Sequence, residues 1–181
     1  DSRGRLLLHR EPGSRRRRSS EERERIMMAR VTNIVVAGLG GQGVLKASDV
    51  LSDALLRAGH DVKKSEVHGM AQRGGSVQSD VRFGAEVFSP MVPTGEADYL
   101  VALDAGQVDV CRHLLRPGGV VIAPDAIEAA ALPNRRSLNV ALAGALSAHL
   151  DLPAELWTAA LHANFRQDLW EIGRASGRER V

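Results

Sequence analysis

The sequence predicts an α/β protein, a single domain built on a Rossmann-like open, mostly parallel sheet with helices on both faces. Three observations carry this expectation. Short apolar runs alternate with helix-compatible stretches from Val31 to Ile172. The first run, Ile34–Leu39, is broken only by Gly38, as in a strand covered on both sides. Aromatic residues make up only 3% of the chain, so the core must be built from Ala, Val and Leu.

The elements follow in order. Thr32–Ala37 reads as the first strand, and the glycines after it as a tight turn into a helix over Val44–Ala58. That helix places Val44, Leu51, Leu55 and Ala58 among its apolar positions, and Gly59 stops it. His60–Glu66 is a short, polar second strand. In Ser76–Phe83, Val77, Ser79, Val81 and Phe83 alternate with Gln78, Asp80 and Arg82, as a half-buried strand requires. Gly84-Ala85 is expected to turn this strand into a hairpin with Glu86–Ser89. Tyr99–Leu103 is a buried strand, followed by a helix over Ala105–Leu115 that Pro117-Gly118-Gly119 closes. Val120–Ala123 is the next strand, and Leu138–Leu150 and Ala154–Ala163 read as helices.

The termini differ from this body. Residues 1–30 hold ten Arg against five acids, and residues 173–181 three Arg against one acid. Residues 31–172 therefore carry −5 of the chain's net +2. The basic sequence pI of about 9.1 thus belongs to the ends, and a nucleic-acid partner is not expected. Residues 1–28 read as a basic, disordered extension, with Met27 or Met28 as a plausible natural start. Residues 29–172 read as the folded domain, and residues 173–181 as an atypical tail.

Composition excludes several classes. Cys111 is the one cysteine. It leaves no disulfide within the chain and no cysteine-ligated iron–sulfur cluster, which takes about four thiolates. With no run near the roughly 20 apolar residues of a membrane span and no secretory signal, a cytoplasmic location without membrane association is expected.

Two glycine-rich stretches hold the chemistry. Gly38, Gly40 and Gly43 fit G-x-G-x-x-G, a turn that can bring N–H groups and a helix N-terminus close to an anion. Packing of strand against helix explains the same glycines without any ligand. A dinucleotide would need an acid such as Glu66 at its ribose, but Asp61–Glu66 is too polar for the usual second strand. There Lys63 and Lys64 could instead meet a phosphate. The second stretch sets Glu66, His68, Gln72, Arg73 and Ser76 among Gly69, Gly74 and Gly75. Such a loop suits an anionic or carbonyl-bearing ligand, and equally a solvated surface connection. Cys111 has no neighbouring base and reads as inert. His113, His149 and His162 lack metal-ligand spacing, and Asp104 either faces a crevice or caps the following helix.

GLGGQGVLKAS, EVHGMAQRGGSVQSDVRFG and SPMVPTGEADYLVALD together resemble the small (beta) subunit of indolepyruvate:ferredoxin oxidoreductase. More broadly, they are similar to the gamma domain of the 2-oxoacid:ferredoxin oxidoreductases. The likeness runs from Val31 to Ile172 and includes SLNVALAGAL and PAELWTAAL. HGMAQRGGSV is its most specific part. Residues 1–26 have no counterpart, and the family continues past FRQDLWEI with a further segment.

The resemblance implies a non-autonomous subunit, inactive alone. It also implies a large partner subunit carrying thiamine diphosphate, Mg²⁺ and 4Fe–4S clusters, with ferredoxin as acceptor and CoA as co-substrate. No cofactor or metal is expected on this chain by itself. The resemblance puts Gly38, Gly40, Gly41, Gln42, Gly43 and Lys46 on the CoA side. It puts the second loop, His68–Ser76 with Gly74 and Gly75, along the route to the active site. His68 and Arg73 are the candidates for CoA phosphate or substrate carboxylate, with structural roles equally open. The alternative is a free-standing NAD(P)- or FAD-binding Rossmann protein.

Overall fold

The computed structural model describes residues 30–69, 74–128 and 137–165. Its elements are β1 (Thr32–Leu39), α1 (Val44–Arg57), β2 (Asp61–His68), β3 (Ser76–Gly84), β4 (Ala97–Ala102), α2 (Gly106–Cys111), β5 (Leu115–Ile122), α3 (Leu138–Ser147) and α4 (Ala154–Asn164). Short 3₁₀ turns occupy Arg112–Leu114 and Pro124–Ala126. The expected extension at residues 1–28 and tail at 173–181 lie outside the described residues.

The five strands form one open sheet in the order β2-β3-β1-β4-β5. β1, β4 and β5 pair in parallel, whereas β3 runs antiparallel to both β1 and β2. β2 therefore points the same way as β1 without touching it. The sheet is α/β and open as expected, but mixed at β3. The connection over residues 69–75 is too short for the crossover that a parallel neighbour requires, so β3 must return antiparallel.

Helices cover both faces. Ile34 and Val36 of β1, Val81 of β3 and Val101 of β4 pack beneath α1, α3 and α4 through Leu51, Leu55, Leu142, Leu146 and Trp157. Val35, Ala37 and Leu100 point the other way, against Cys111, Leu114 and Val92. β1 is thus buried on both faces, which its uninterrupted apolar run requires. α1 ends where foreseen: Ala58 caps it, and Gly59 takes the left-handed backbone with φ +87°. Among the described residues no helix is long and apolar enough to cross a membrane.

Three local expectations are corrected. Residues 85–96 form no strand with β3. Val87 N–H donates to Asp61, Arg82 holds the carbonyls of Ser89 and Met91, and the buried Asp80 accepts from Val92 N–H. These side chains pull the segment across the sheet face instead of along its edge. The expected helix over Ala105–Leu115 ends at Cys111 and tightens to 3₁₀. β5 begins at Leu115, which pairs with Ala97, and the ladder resumes at Tyr99–Val120 after an irregularity containing Gly118 at φ +76°.

Cys111 is buried, with its Sγ 4.0 Å from Gln78 Oε1. Burial first, and then the Asp80 carboxylate, push its thiol pKa above the ordinary value. Fewer thiolates form at a given pH, so labelling of native protein by iodoacetamide is expected to be slower than labelling of free cysteine at pH 8. Unfolding in urea should restore the free-thiol rate. Equal native and unfolded rates would contradict this assignment.

Candidate functional site

Because β1, β2 and β4 point one way and β3 the other, one sheet edge collects Leu39, His68 and Ala102 with the start of β3 at Ser76. Both glycine stretches lie on that edge, and they touch: Gly40 N–H donates to Gly75 O at 2.9 Å. A Cβ on Gly40 would approach Gly74 N at 3.5 Å. The second loop is closed at its base by Gly69 N–H to Ser76 O, 2.7 Å.

Each candidate in the first turn now has a place. A Cβ on Gly38 would come within 2.7 Å of Val44 Cγ2 and 3.1 Å of Leu103 Cβ, so this glycine lets α1 pack against β1. Gly41 and Gly43 have φ of +92° and +85°, which glycine adopts freely. Gln42 turns inward: its Oε1 accepts Leu39 N–H at 2.7 Å and its Nε2 donates to Asp104 at 3.3 Å. Gly43 is the N-cap of α1, with no side-chain cap and no acid in the first turn. The leading N–H groups of this 14-residue helix therefore lack an intrahelical acceptor and present a partial positive charge. Lys46 is exposed in that first turn, with no ion-pair partner among the described residues.

The second loop is divided. Gly74, at φ +71°, and Gly75 form its returning limb. Ser76 Oγ donates to the buried Gln107 Oε1 at 2.6 Å. His68 is exposed, with Nε2 3.7 Å from Glu66 Oε2. Arg73 lies outside the described residues, as does Gln72.

Two positions that sequence reading did not select, Asn139 and Gln107, and one that it left open, Asp104, complete the edge. Asn139, at the start of α3, donates from Nδ2 to Gly43 O at 3.4 Å, and its Oδ1 accepts Val140 N–H. Asp104, left open between crevice and cap, does the latter: Oδ1 accepts Gly106 N–H while Oδ2 takes Gln42. Gln107 holds Ser76. No local pattern marks Asn139 and Gln107, since Gly43 and Ser76 are remote from them in the sequence.

The lysines weighed for a phosphate are occupied. Lys63 pairs with Asp61, and Lys64 with both Asp49 and Glu66. Partial burial disfavours the Lys64 charge, but the hydrogen bonds it donates to the Asp49 and Glu66 carboxylates outweigh this and raise its pKa. Among the described residues no group of three or more His, Cys, Asp or Glu is placed to hold a metal ion. A cleft of about 370 Å³ lies along Ala154, Glu155, Thr158, Ala159 and His162 of α4, lined by none of the glycine-loop residues.

The family model described as pyruvate ferredoxin/flavodoxin oxidoreductase matches residues 33–176, across both glycine stretches. The chain belongs to this family. Among curated relatives, the indolepyruvate oxidoreductase subunit IorB of Thermococcus kodakarensis is 48% identical over 91 residues, covering 49% of this chain and 44% of the relative. The subunit of the same name from Archaeoglobus fulgidus is 51% identical over 90 residues, covering 50% and 44%. The chain thus spans less than half the length of these relatives.

Solved structures share the fold. The gamma subunit of a keto/oxoacid ferredoxin oxidoreductase from Geobacter sulfurreducens superposes with a TM-score of 0.67 at 20% identity, covering 81% of this chain and 94% of that one. The 2-oxoglutarate:ferredoxin oxidoreductase of Magnetococcus marinus, solved with 2-oxoglutarate, coenzyme A and succinyl-CoA, gives 0.68 at 22% identity. That match covers 81% of this chain but 30% of the other. The same fold therefore stands both as a separate chain and as part of a longer one.

Proposed function

We propose that this chain is the small, non-autonomous subunit of a cytoplasmic thiamine-diphosphate-dependent 2-oxoacid:ferredoxin oxidoreductase acting on indolepyruvate or another aryl pyruvate. The observation that carries the reading is the shared edge. Two glycine loops meet there beside a helix N-terminus without a side-chain cap and an exposed lysine, in a family member whose relatives bear the indolepyruvate name. A large partner subunit would hold thiamine diphosphate, Mg²⁺ and 4Fe–4S clusters, with no nucleic acid or membrane involved. When bound there, the thiamine supplies the oxidative decarboxylation. The 2-oxoacid would lose CO₂, give up two electrons to ferredoxin and pass its acyl group to the CoA sulfur, with the thiol proton released.

This chain's residues would bind and orient. The N–H groups opening α1, with Lys46, suit the phosphates of CoA. Gly41, where a Cβ would meet nothing within 4 Å, leaves that approach open, Gly40 and Gly43 let the turn pack closely on Gly74 and Asn139, and Gly38 and Gln42 hold it against the sheet. His68, Gly74, Gly75 and Ser76 would face the partner, and His68 and Arg73 are the candidates for CoA phosphate or a substrate carboxylate.

The dinucleotide alternative fits less well. The acid at the end of β2 should lie beside β1, yet β3 intervenes and sets Glu66 two strand spacings, about 10 Å, from β1. Glu66 is also engaged by Lys64.

Lys46→Ala is expected to raise KM for CoA about fivefold in the assembled enzyme, with KM for the oxoacid unchanged. The difference should shrink as salt rises, because Lys46 is exposed. An unchanged KM for CoA would remove Lys46 from the site. Retention of NAD(P) by the chain alone would favour the alternative.

A further inference from the structure

The junction between β4 and α2 reaches both glycine loops at once. Asp104 receives Gln42 of the first turn, and three residues later Gln107 receives the hydroxyl of Ser76 from the second loop. Asp104 is held by Gly106 N–H at 2.9 Å, and its carbonyl accepts Gln107 N–H at 3.0 Å. The two acceptors are therefore fixed relative to each other. Gln107 is only 8% exposed although Ala105 and Gly106 before it and Asp109 and Val110 after it are exposed, so its side chain is turned into the fold. The backbone bond from Gly40 to Gly75 closes the circuit.

We propose that Gln107, with Asp104, is a positioning residue that sets the spacing of the two glycine loops and so the geometry of the ligand mouth between them. It does so through Ser76 and Gln42 and touches no substrate. Its effect on CoA rests on the function proposed above, whereas its effect on the loops does not. With the Gln107 acceptor removed, Ser76 is released and the Gly74–Ser76 limb can move away from Gly40. The Gly40 N–H then loses its acceptor for part of the time. Loss of one such bond corresponds to about a threefold to tenfold change in an equilibrium.

The test compares Gln107→Ala and Gln107→Glu in the full chain assembled with its partner. Gln107→Ala is expected to raise KM for CoA about threefold to tenfold, with kcat and KM for the oxoacid nearly unchanged. Amide hydrogen exchange at Gly40 should quicken while that of Val35, inside β1, does not. Gln107→Glu keeps an oxygen for the Ser76 hydroxyl and should restore both readouts. Ser76→Ala should quicken Gly40 exchange as Gln107→Ala does, and the double variant should exchange no faster than either single one.

Exchange that rises equally at Gly40 and Val35, or no change at Gly40, would overturn the positioning role. So would an unaltered KM for CoA in a variant whose Gly40 exchange has risen. If the wild-type complex shows no CoA dependence, the functional reading fails by itself, and Gly40 exchange still decides whether the clamp exists.

Discussion

Replacing Gly43 with alanine is expected to cost about 2–5 kcal/mol of stability and to abolish CoA-dependent turnover. Two penalties combine. The left-handed backbone at φ +85° costs an L-residue about 1–2 kcal/mol. The new methyl group would also overlap the amide nitrogen of Asn139 and sit 3.2 Å from its Cγ. Asn139 cannot retreat freely, because it bonds both Gly43 O and Val140 N–H and is only 6% exposed. Overpacking of this kind costs about 1–3 kcal/mol. Urea unfolding should resolve the two. Adding Asn139→Ala to Gly43→Ala removes the overlap but not the backbone strain, so the double variant should recover part of the loss. A Gly43→Ala variant within about 0.5 kcal/mol of the parent would show that the turn relaxes without cost.

Asp98→Ala is expected to be nearly as damaging, by about 2–3 kcal/mol, at the opposite edge of the sheet. Asp98 is 4% exposed. One carboxylate oxygen faces Arg30 and the Arg116 Nε at 2.7 Å, and the other accepts Asn33 N–H at 2.9 Å. Asn33 in turn donates to Glu96 O and accepts from Arg82. The group therefore ties the starts of β1, β4 and β5 to the end of β3. The arginines are partly exposed and can regain water, so the full penalty of a stranded buried charge is not expected. What is stranded is the buried Asn33 N–H. Asp98→Asn keeps an acceptor for it and should lose less. Equal losses for the two substitutions would place the stabilisation in the ion pairs instead.

The sequence carried the parts of this fold that depend on local pattern. The apolar run after Thr32 revealed β1, the alternation after Ser76 revealed β3, and Gly59 marked the end of α1. Strand direction was harder, because alternation says nothing of it. The clue to the antiparallel β3 was the shortness of the connection between His68 and Ser76. The path of residues 85–96 was not legible, since it is dictated by Asp61, Asp80 and Arg82 reaching across the sheet. At the site, the glycines announced themselves by type and spacing, and the structure brings their two loops into contact. Asn139 and Gln107 did not, because each acts through a partner that folding alone brings near, and of Asp104 only the local bond to Gly106 was foreseeable, not the one from Gln42. Lys63 and Lys64 show the reverse: the charges suggested a phosphate, and folding pairs them with Asp61, Asp49 and Glu66.

The most direct measurement is an anaerobic viologen-reduction assay with indolepyruvate and CoA, run on the large thiamine- and cluster-bearing subunit alone, on this chain alone, and on the two co-expressed. The expected result is copurification, with reduction that requires both chains and CoA. Two inert chains that do not associate, or full activity of the large subunit without this one, would contradict the proposed role.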